Sequence, residues 1–355
     1  MDADRIQRLT RSLELALNQE WPQLDRTCRK VSGLRPVRID PEAASSRGVV
    51  ATVATDGGES RLRLEPIRIQ VIRVADSLGV IHFEQFIPQS LRPEEIIRFF
   101  FAGEERLRRM LDYLALEWDE LIPKSDYQKS NLLGMLRELL EWAATIKLAA
   151  ERKDLLILRD GLLRSVLLSD GVFAAIRRRL EDLTRRNGHL LAGVAKRSAV
   201  INYLSIGLGL TSVLAGPDPA YLRVGADLER EASPSQYRWM SQRGMGVLFV
   251  ARLDRGEAVP LMPVDIAAWQ ENEAAQAMTL LHRSARLSFP LRGYPQELTT
   301  AHRHAHLGEF ETQVLESLLM QEVVARSPTL GERVRQLRML GRRLVEEESD
   351  ESAGQ

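Results

Sequence analysis

The stretch Val49-Val50-Ala51-Thr52-Val53-Ala54-Thr55-Asp56-Gly57-Gly58 decides how the chain is read. Six apolar or β-branched residues in a row make a strand. Asp-Gly-Gly marks its end, because Asp caps turns and Gly adopts their backbone angles. Further on, Arg61-Leu62-Arg63-Leu64 alternates, as does Ile67-Arg68-Ile69-Gln70-Val71 after Pro66. Val80-Ile81-His82-Phe83 follows the turn at Ser77-Leu78-Gly79. This spacing predicts an antiparallel meander joined by short turns. Leu132 to Ala150 reads as a long helix, and Leu155-Leu156-Ile157-Leu158 as a fourth strand that closes at Asp160-Gly161. A basic helix from Ala174 to Arg186 then leads to a fifth strand, Leu190 to Val194.

Three meander strands, a helix, a strand, a helix and a strand is the element order of an α/β, ribonuclease H-like mixed sheet flanked by helices. Pro88 to about Ser130 has a helical pattern and reads as an insertion at about 88–130. Val247 to Ala251 is a late strand, and the last hundred residues read as mostly helical. At the other end, Ile6, Leu9, Leu13 and Leu17 recur at spacings of three and four, an amphipathic helix followed by a loop to Gly48. The expected organisation is an N-terminal helix and loop over 1–48, a main domain over 49–325, and a basic helix with a disordered acidic tail over 326–355.

The 355 residues carry 49 Lys+Arg and 49 Asp+Glu, a net charge of zero that at face value argues against nucleic acid. The sum hides its distribution. Five acids and no bases fall within 344–355, which leaves the rest of the chain five charges positive. Arginines bunch at 177–179 and 185–186, and six lie between Arg326 and Arg343. At 44% hydrophobic and 28% charged residues, the composition is that of a globular protein. Cys28 is the only cysteine, which excludes an intrachain disulfide and a cysteine-based metal cage and fits a reducing, cytoplasmic compartment. Ser198 to Pro217 is uncharged over the length of a membrane span. Its Asn, Thr, three Ser and three Gly residues read instead as a buried helix or loop, so no membrane is expected.

Two apolar strands thus end in Asp-Gly, at Asp56 and Asp160. Asp-Gly is a favoured turn pair, and Asp56 alone reads as turn chemistry. Asp160 is followed by apolar Leu162-Leu163 rather than a polar hairpin partner, and on neighbouring strands both carboxylates would project at one edge of the sheet. Carboxylates at close quarters repel unless a cation lies between them, and all-oxygen ligation favours Mg²⁺ or Mn²⁺. A third carboxylate is expected from the long helix, with Glu138 and Glu141 as candidates and Glu151 further out. Near the C-terminus, His302, His304 and His306 follow Gly293-Tyr294-Pro295 on a helix. A spacing of two does not place three ligands on one helical face. His302 is the histidine expected to act, as a metal ligand or a proton shuttle.

These pieces resemble the NurA nucleases. The resemblance rests on Thr55-Asp56-Gly57-Gly58-Glu59-Ser60, on Leu158-Arg159-Asp160-Gly161-Leu162-Leu163 and on Gly193-Val194-Ala195-Lys196-Arg197-Ser198. Most specific is Gly293-Tyr294-Pro295-Gln296-Glu297-Leu298-Thr299-Thr300-Ala301-His302. It implies a NurA nuclease domain in which Asp56, Glu141 (or Glu138), Asp160 and His302 bind Mn²⁺, with Mg²⁺ as the alternative ion and Tyr294 close by.

The implied chemistry is hydrolysis of a DNA phosphodiester, with Tyr294 positioning the phosphate and Lys196 and Arg197 contacting the DNA backbone. The resemblance also implies single-strand endonuclease and 5′–3′ exonuclease activity in DNA end resection, a HerA-type hexameric ATPase as partner, and a homodimer. Two other classes compete: a non-catalytic partner of a ring ATPase, and a translocase-independent metal-dependent nuclease acting against foreign DNA.

Overall fold

The structure, a computed structural model, describes residues 3–42, 48–49, 51–64, 67–96, 105–196, 199–232, 244–256, 259–333 and 336. Its strands are β1 (Val37–Arg38), β2 (Ala51–Leu64), β3 (Ile67–Asp76), β4 (Ile81–Pro88), β5 (Leu155–Asp160), β6 (Leu190–Val194), β7 (Ala220–Arg223), β8 (Gly246–Arg252) and β9 (Met262–Ala267). The helices used below are α1 (Ala3–Ser32), α2 (Leu132–Glu151), α3 (Asp170–Arg186), α4 (Ala199–Thr211) and α5 (Gln296–Ala305). Strand order in the mixed sheet is β1-β7-β8-β9-β6-β5-β2-β3-β4. β5 and β6 run parallel, whereas β2–β3, β3–β4, β6–β9, β7–β8, β8–β9 and β1–β7 are antiparallel.

The chain divides into two compact units. One comprises Met1–Ala54, Ala149–Val166 and Leu180–Thr299, the other Thr55–Leu148, Leu167–Arg179 and Thr300–Gln355. In the first, β6 and β9 are buried throughout and β5 up to Arg159, which is why β5 and β6 read as continuous apolar runs rather than alternating ones. The uncharged stretch becomes α4. Its Leu204 and Leu208 join Val31 of α1, Leu222 of β7 and Val250 of β8 in one buried cluster. Burying each such leucine contributes on the order of 1.5–3 kcal/mol. Among the described residues no helix is long and apolar enough to cross a membrane.

In the second unit, β2, β3 and β4 form the expected meander, and α2 buries Leu136, Leu139, Leu140 and Ala143. Trp142 is fully buried and meets Phe173 edge to face, with ring centroids 6.1 Å apart. Between 88 and 130 the described helical stretches are residues 93–96, Glu105–Leu114, Trp118–Leu121 and Asp126–Ser130.

One expectation is corrected, and further strands were not foreseen. The first strand does not stop at Asp56-Gly57-Gly58. β2 runs on to Leu64, with Asp56 opposite Ala75, Gly57 opposite Val74 and Gly58 opposite Arg73. An unbroken ladder to β3 outweighs the local turn preference of Asp-Gly. Within the last hundred residues the described elements are mostly helical, but β9 also lies there and pairs on both sides. Pro263 is tolerated inside β9 because it offers only its carbonyl to the β6 side, accepting from Ala195 N–H at 3.2 Å. β7, between Pro219 and Val224, was also unforeseen. The acidic tail and most of the basic C-terminal helix lie outside the described residues.

Candidate metal centre

In the second unit, β2 carries Asp56 at 7% exposure. The backbone N–H of Gly57 donates to Asp56 Oδ1 at 2.8 Å, and His302 Nδ1 donates to Oδ2 at 2.6 Å. The backbone stays helical one step past α5, since His306 N–H donates to the His302 carbonyl at 3.2 Å. The His302 and His306 rings therefore face each other, with centroids 4.3 Å apart. One ligand atom from each of Asp56, His302 and His306 lies within 4.8 Å of the others. As expected, the three histidines do not share one face, but two of them do. Steps of two scatter 302, 304 and 306, but 302 and 306 are four apart and stack one turn above the other. His304 points elsewhere and donates from Nδ1 to the Asp76 carbonyl at 3.1 Å.

Glu141, 4% exposed on α2, lies against the same strand. A Cβ on Gly57 would meet Glu141 Oε1 at 2.5 Å, so the glycine is what lets the carboxylate settle there. Thr145 Oγ1 donates to the Glu141 carbonyl at 2.9 Å and lies 3.2 Å from Thr55 Oγ1, which ties α2 to β2 beside Asp56. Arg137, one turn earlier, donates to Glu141 Oε1 at 3.0 Å, to the Gly57 carbonyl at 3.1 Å and to Glu59 Oε1 at 2.8 Å. Burial works against its charge, but Glu141, Glu59 and Asp56 outweigh it and hold the guanidinium above its ordinary pKa. Glu138 is engaged by Trp142, whose Nε1 donates to it at 3.2 Å. Of the two glutamates, Glu141 is the one packed against Gly57 of β2.

The first unit holds the other expected residues. Tyr294, fully buried, donates its hydroxyl to Asp160 Oδ1 at 2.9 Å, and Lys196 Nζ donates to Oδ2 at 3.2 Å. Lys196 Nζ also sits 5.0 Å from the Tyr294 ring centroid. The Gly-x-x-Lys segment now has a physical reading. A Cβ on Gly193 would run into the Gly161 carbonyl, so β6 can close on the turn after Asp160 only as glycine, and Lys196 then reaches the carboxylate. Arg197 lies outside the described residues.

Sequence reasoning missed Arg137, Glu59 and His306. The i,i+4 pairs Arg137–Glu141 and His302–His306 were visible signals. Glu59 was not, since its role needs the strand that continues past Gly57.

The fold and these clusters define an α/β protein whose carboxylates and imidazoles are gathered as they are in divalent-metal centres. The NurA domain family model matches residues 50–228, and the chain belongs to that family. Among solved structures, the chain is similar to the NurA nuclease from Sulfolobus solfataricus at 14% identity. That alignment has a TM-score of 0.46 and covers 92% of this chain and 98% of that one. It is similar to NurA bound to dAMP and manganese at 13% identity and a TM-score of 0.39, over 88% of this chain and 96% of that one. No curated protein matches the chain.

Proposed function

We propose that this chain is a Mn²⁺-dependent deoxyribonuclease. The observation that carries the reading is the approach of His302 to Asp56 at 2.6 Å, in a chain of the NurA family, with Glu141 pressed onto the same strand at Gly57. The donor set suits the ion: Asp56, His302 and Glu141 in the second unit offer two carboxylates and an imidazole to a hard-to-borderline cation. Asp160 is assigned to metal as well, in the first unit. What NurA solved with dAMP and manganese holds, a nucleotide and Mn²⁺, is proposed for this chain on the strength of its own donors.

Bound Mn²⁺ would supply positive charge to the phosphoryl oxygens and acidify the attacking water. The chain's own groups do the rest. Asp56, with one oxygen held by Gly57 N–H, keeps a fixed orientation. His302 holds or moves a proton at Nδ1. Tyr294, whose hydroxyl is aimed by Asp160, positions the scissile phosphate, and Lys196 and Arg197 neutralise backbone phosphates without reading sequence.

The ribonuclease H-like assignment is part of the same reading, supported by the β4-β3-β2-β5-β6 order and the parallel β5–β6 pair. So are action in DNA end resection with a HerA-type hexameric ATPase, a homodimeric state and a cytoplasmic setting. The domain limits 49–325, with an insertion near 88–130, are carried along with it. The test is cleavage of labelled single-stranded and duplex DNA with Mn²⁺ present. Wild type should cut and Asp56→Ala should not. Equal behaviour of the two proteins would remove the nuclease assignment and leave a non-catalytic partner of a ring ATPase.

A further inference from the structure

We infer that His306 is a metal ligand and that Asp56, His302 and His306 together form a centre selective for borderline transition ions, Co²⁺ and Zn²⁺ above Mn²⁺ and all three above Mg²⁺. The inference rests on the metal-dependent reading above and specifies its metal.

Two independent features bring the three residues together. The first is the helical turn that stacks His306 on His302, at 4.3 Å between centroids and 59° between planes. The second is Gly58, where any Cβ would collide with the Ala305 carbonyl, so β2 lies against the last turn of α5 with no side chain between. Asp56, two residues earlier on β2, is thereby fixed beside both rings, and the three donor atoms fall within 4.8 Å of one another. Ligands about 2.0–2.2 Å from a single ion lie about 3–4.4 Å apart, so the three donors need only draw in slightly to close on one ion. Asp56 is buried while both histidines are exposed, so an ion can reach the centre from solvent. The C-terminal end of α5 adds the partial negative charge of its last carbonyls, which favours a cation.

The donor chemistry sets the preference. Carboxylate and water oxygens alone suit Mg²⁺, whereas two imidazoles added to carboxylate donors suit transition ions, with affinity rising from Mn²⁺ through Co²⁺. Zn²⁺ should therefore displace Mn²⁺ from this centre at comparable concentrations.

The experiment is titration of the full chain with Co²⁺ and Zn²⁺ by calorimetry and, for Co²⁺, by visible absorption, with Mg²⁺ as competitor. Wild type, His306→Ala and His304→Ala are compared. His306 is exposed and His304 binds only a backbone carbonyl in the contacts above, so circular dichroism should show all three folded. His306→Ala should lose about 10- to 100-fold in Co²⁺ and Zn²⁺ affinity, the scale of loss for groups supporting a metal centre. It should also alter the Co²⁺ absorption spectrum, while His304→Ala matches wild type. A His306→Ala isotherm and spectrum identical to wild type would overturn the inference, as would Mg²⁺ displacing Co²⁺ at equal concentration. A wild type that binds Co²⁺ through His306 yet leaves DNA intact would uphold the metal centre and remove only the nuclease reading.

Discussion

Alanine at position 57 tests whether Glu141 rests on β2 because no side chain stands there. The added Cβ would lie 2.5 Å from Glu141 Oε1, 2.8 Å from its Cγ and 3.0 Å from Arg137 Cγ, so both side chains must move. An extra methyl in filled space costs about 1–3 kcal/mol. Glu141 is 4% exposed and cannot turn freely to water. Loosening its bond from Arg137, whose side chain is 35% exposed, adds roughly 1 kcal/mol after allowance for screening. Restricting the unfolded chain offsets about 0.4–1 kcal/mol. The net expectation is a loss of about 1–3 kcal/mol. Gly171→Ala is the control: no atom lies within 4 Å of its Cβ position, and α3 should gain on the order of 0.5 kcal/mol. Urea unfolding followed by tryptophan fluorescence reads both, and Mn²⁺ titration should show roughly a tenfold or greater loss for Gly57→Ala alone. A Gly57→Ala protein with wild-type stability and wild-type Mn²⁺ affinity would refute the reasoning.

Other expectations follow from the same contacts. Asp265, fully buried, accepts from Arg164 Nε at 2.8 Å and from Leu163 N at 3.1 Å, and Glu229 is the second partner of Arg164. Asp265→Ala leaves a buried guanidinium half-paired and should cost about 3 kcal/mol in denaturant unfolding. His189 is held neutral: burial lowers its pKa, Nδ1 accepts from Leu155 N, and Nε2 donates to the Ala149 and Arg152 carbonyls. Because the unfolded ring binds its proton more readily, stability should be full above about pH 6.5 and fall as pH drops below it. His189→Gln should flatten that limb of a stability–pH curve. Asp76 is pushed up by burial but more strongly down by His82 and the Val80 and Leu78 N–H groups, so its net pKa is lowered. Its contribution should persist above about pH 3.9 and disappear as pH falls through the lower folded value, measurable as acid unfolding that Asp76→Asn shifts upward. Tyr294→Phe, which removes the donor to Asp160, should leave the fold intact and lower Mn²⁺-dependent cleavage by about 10- to 100-fold.

Much of the fold could be read from local pattern. The meander, the α2 helix, β5 and β6 are each short, strongly periodic or continuously apolar, and burial on one or both faces leaves that mark in the sequence. What could not be read depended on partners distant in sequence. Asp56-Gly57-Gly58 has turn chemistry, and only the ladder to β3 keeps it extended. Pro263 speaks against a strand, and one forms with its carbonyl, which accepts from Ala195 N–H, as its bond on the β6 side. At the candidate centre, residue type and order named Asp56, Glu141 and His302, and the structure brings Asp56 and His302 together and sets Glu141 against Gly57. The sequence offered both Glu141 and Glu138; the different neighbours of the two, Gly57 for the first and Trp142 Nε1 for the second, could not be read from it. His306 was in plain view at i+4, hidden by reading the three histidines as a row rather than as turns of a helix.

Arg137 has a consequence for how the protein is assembled. Asp56 and Glu141 already find hydrogen-bonding partners within the chain, in His302, Gly57 N–H and Arg137, so the polypeptide does not need an ion to complete itself. Synthesis and loading are thereby separable. A newly made chain can mature before it takes up the proposed ion, and its donors then select among the ions present. Chelation should silence such a protein reversibly and leave its architecture standing.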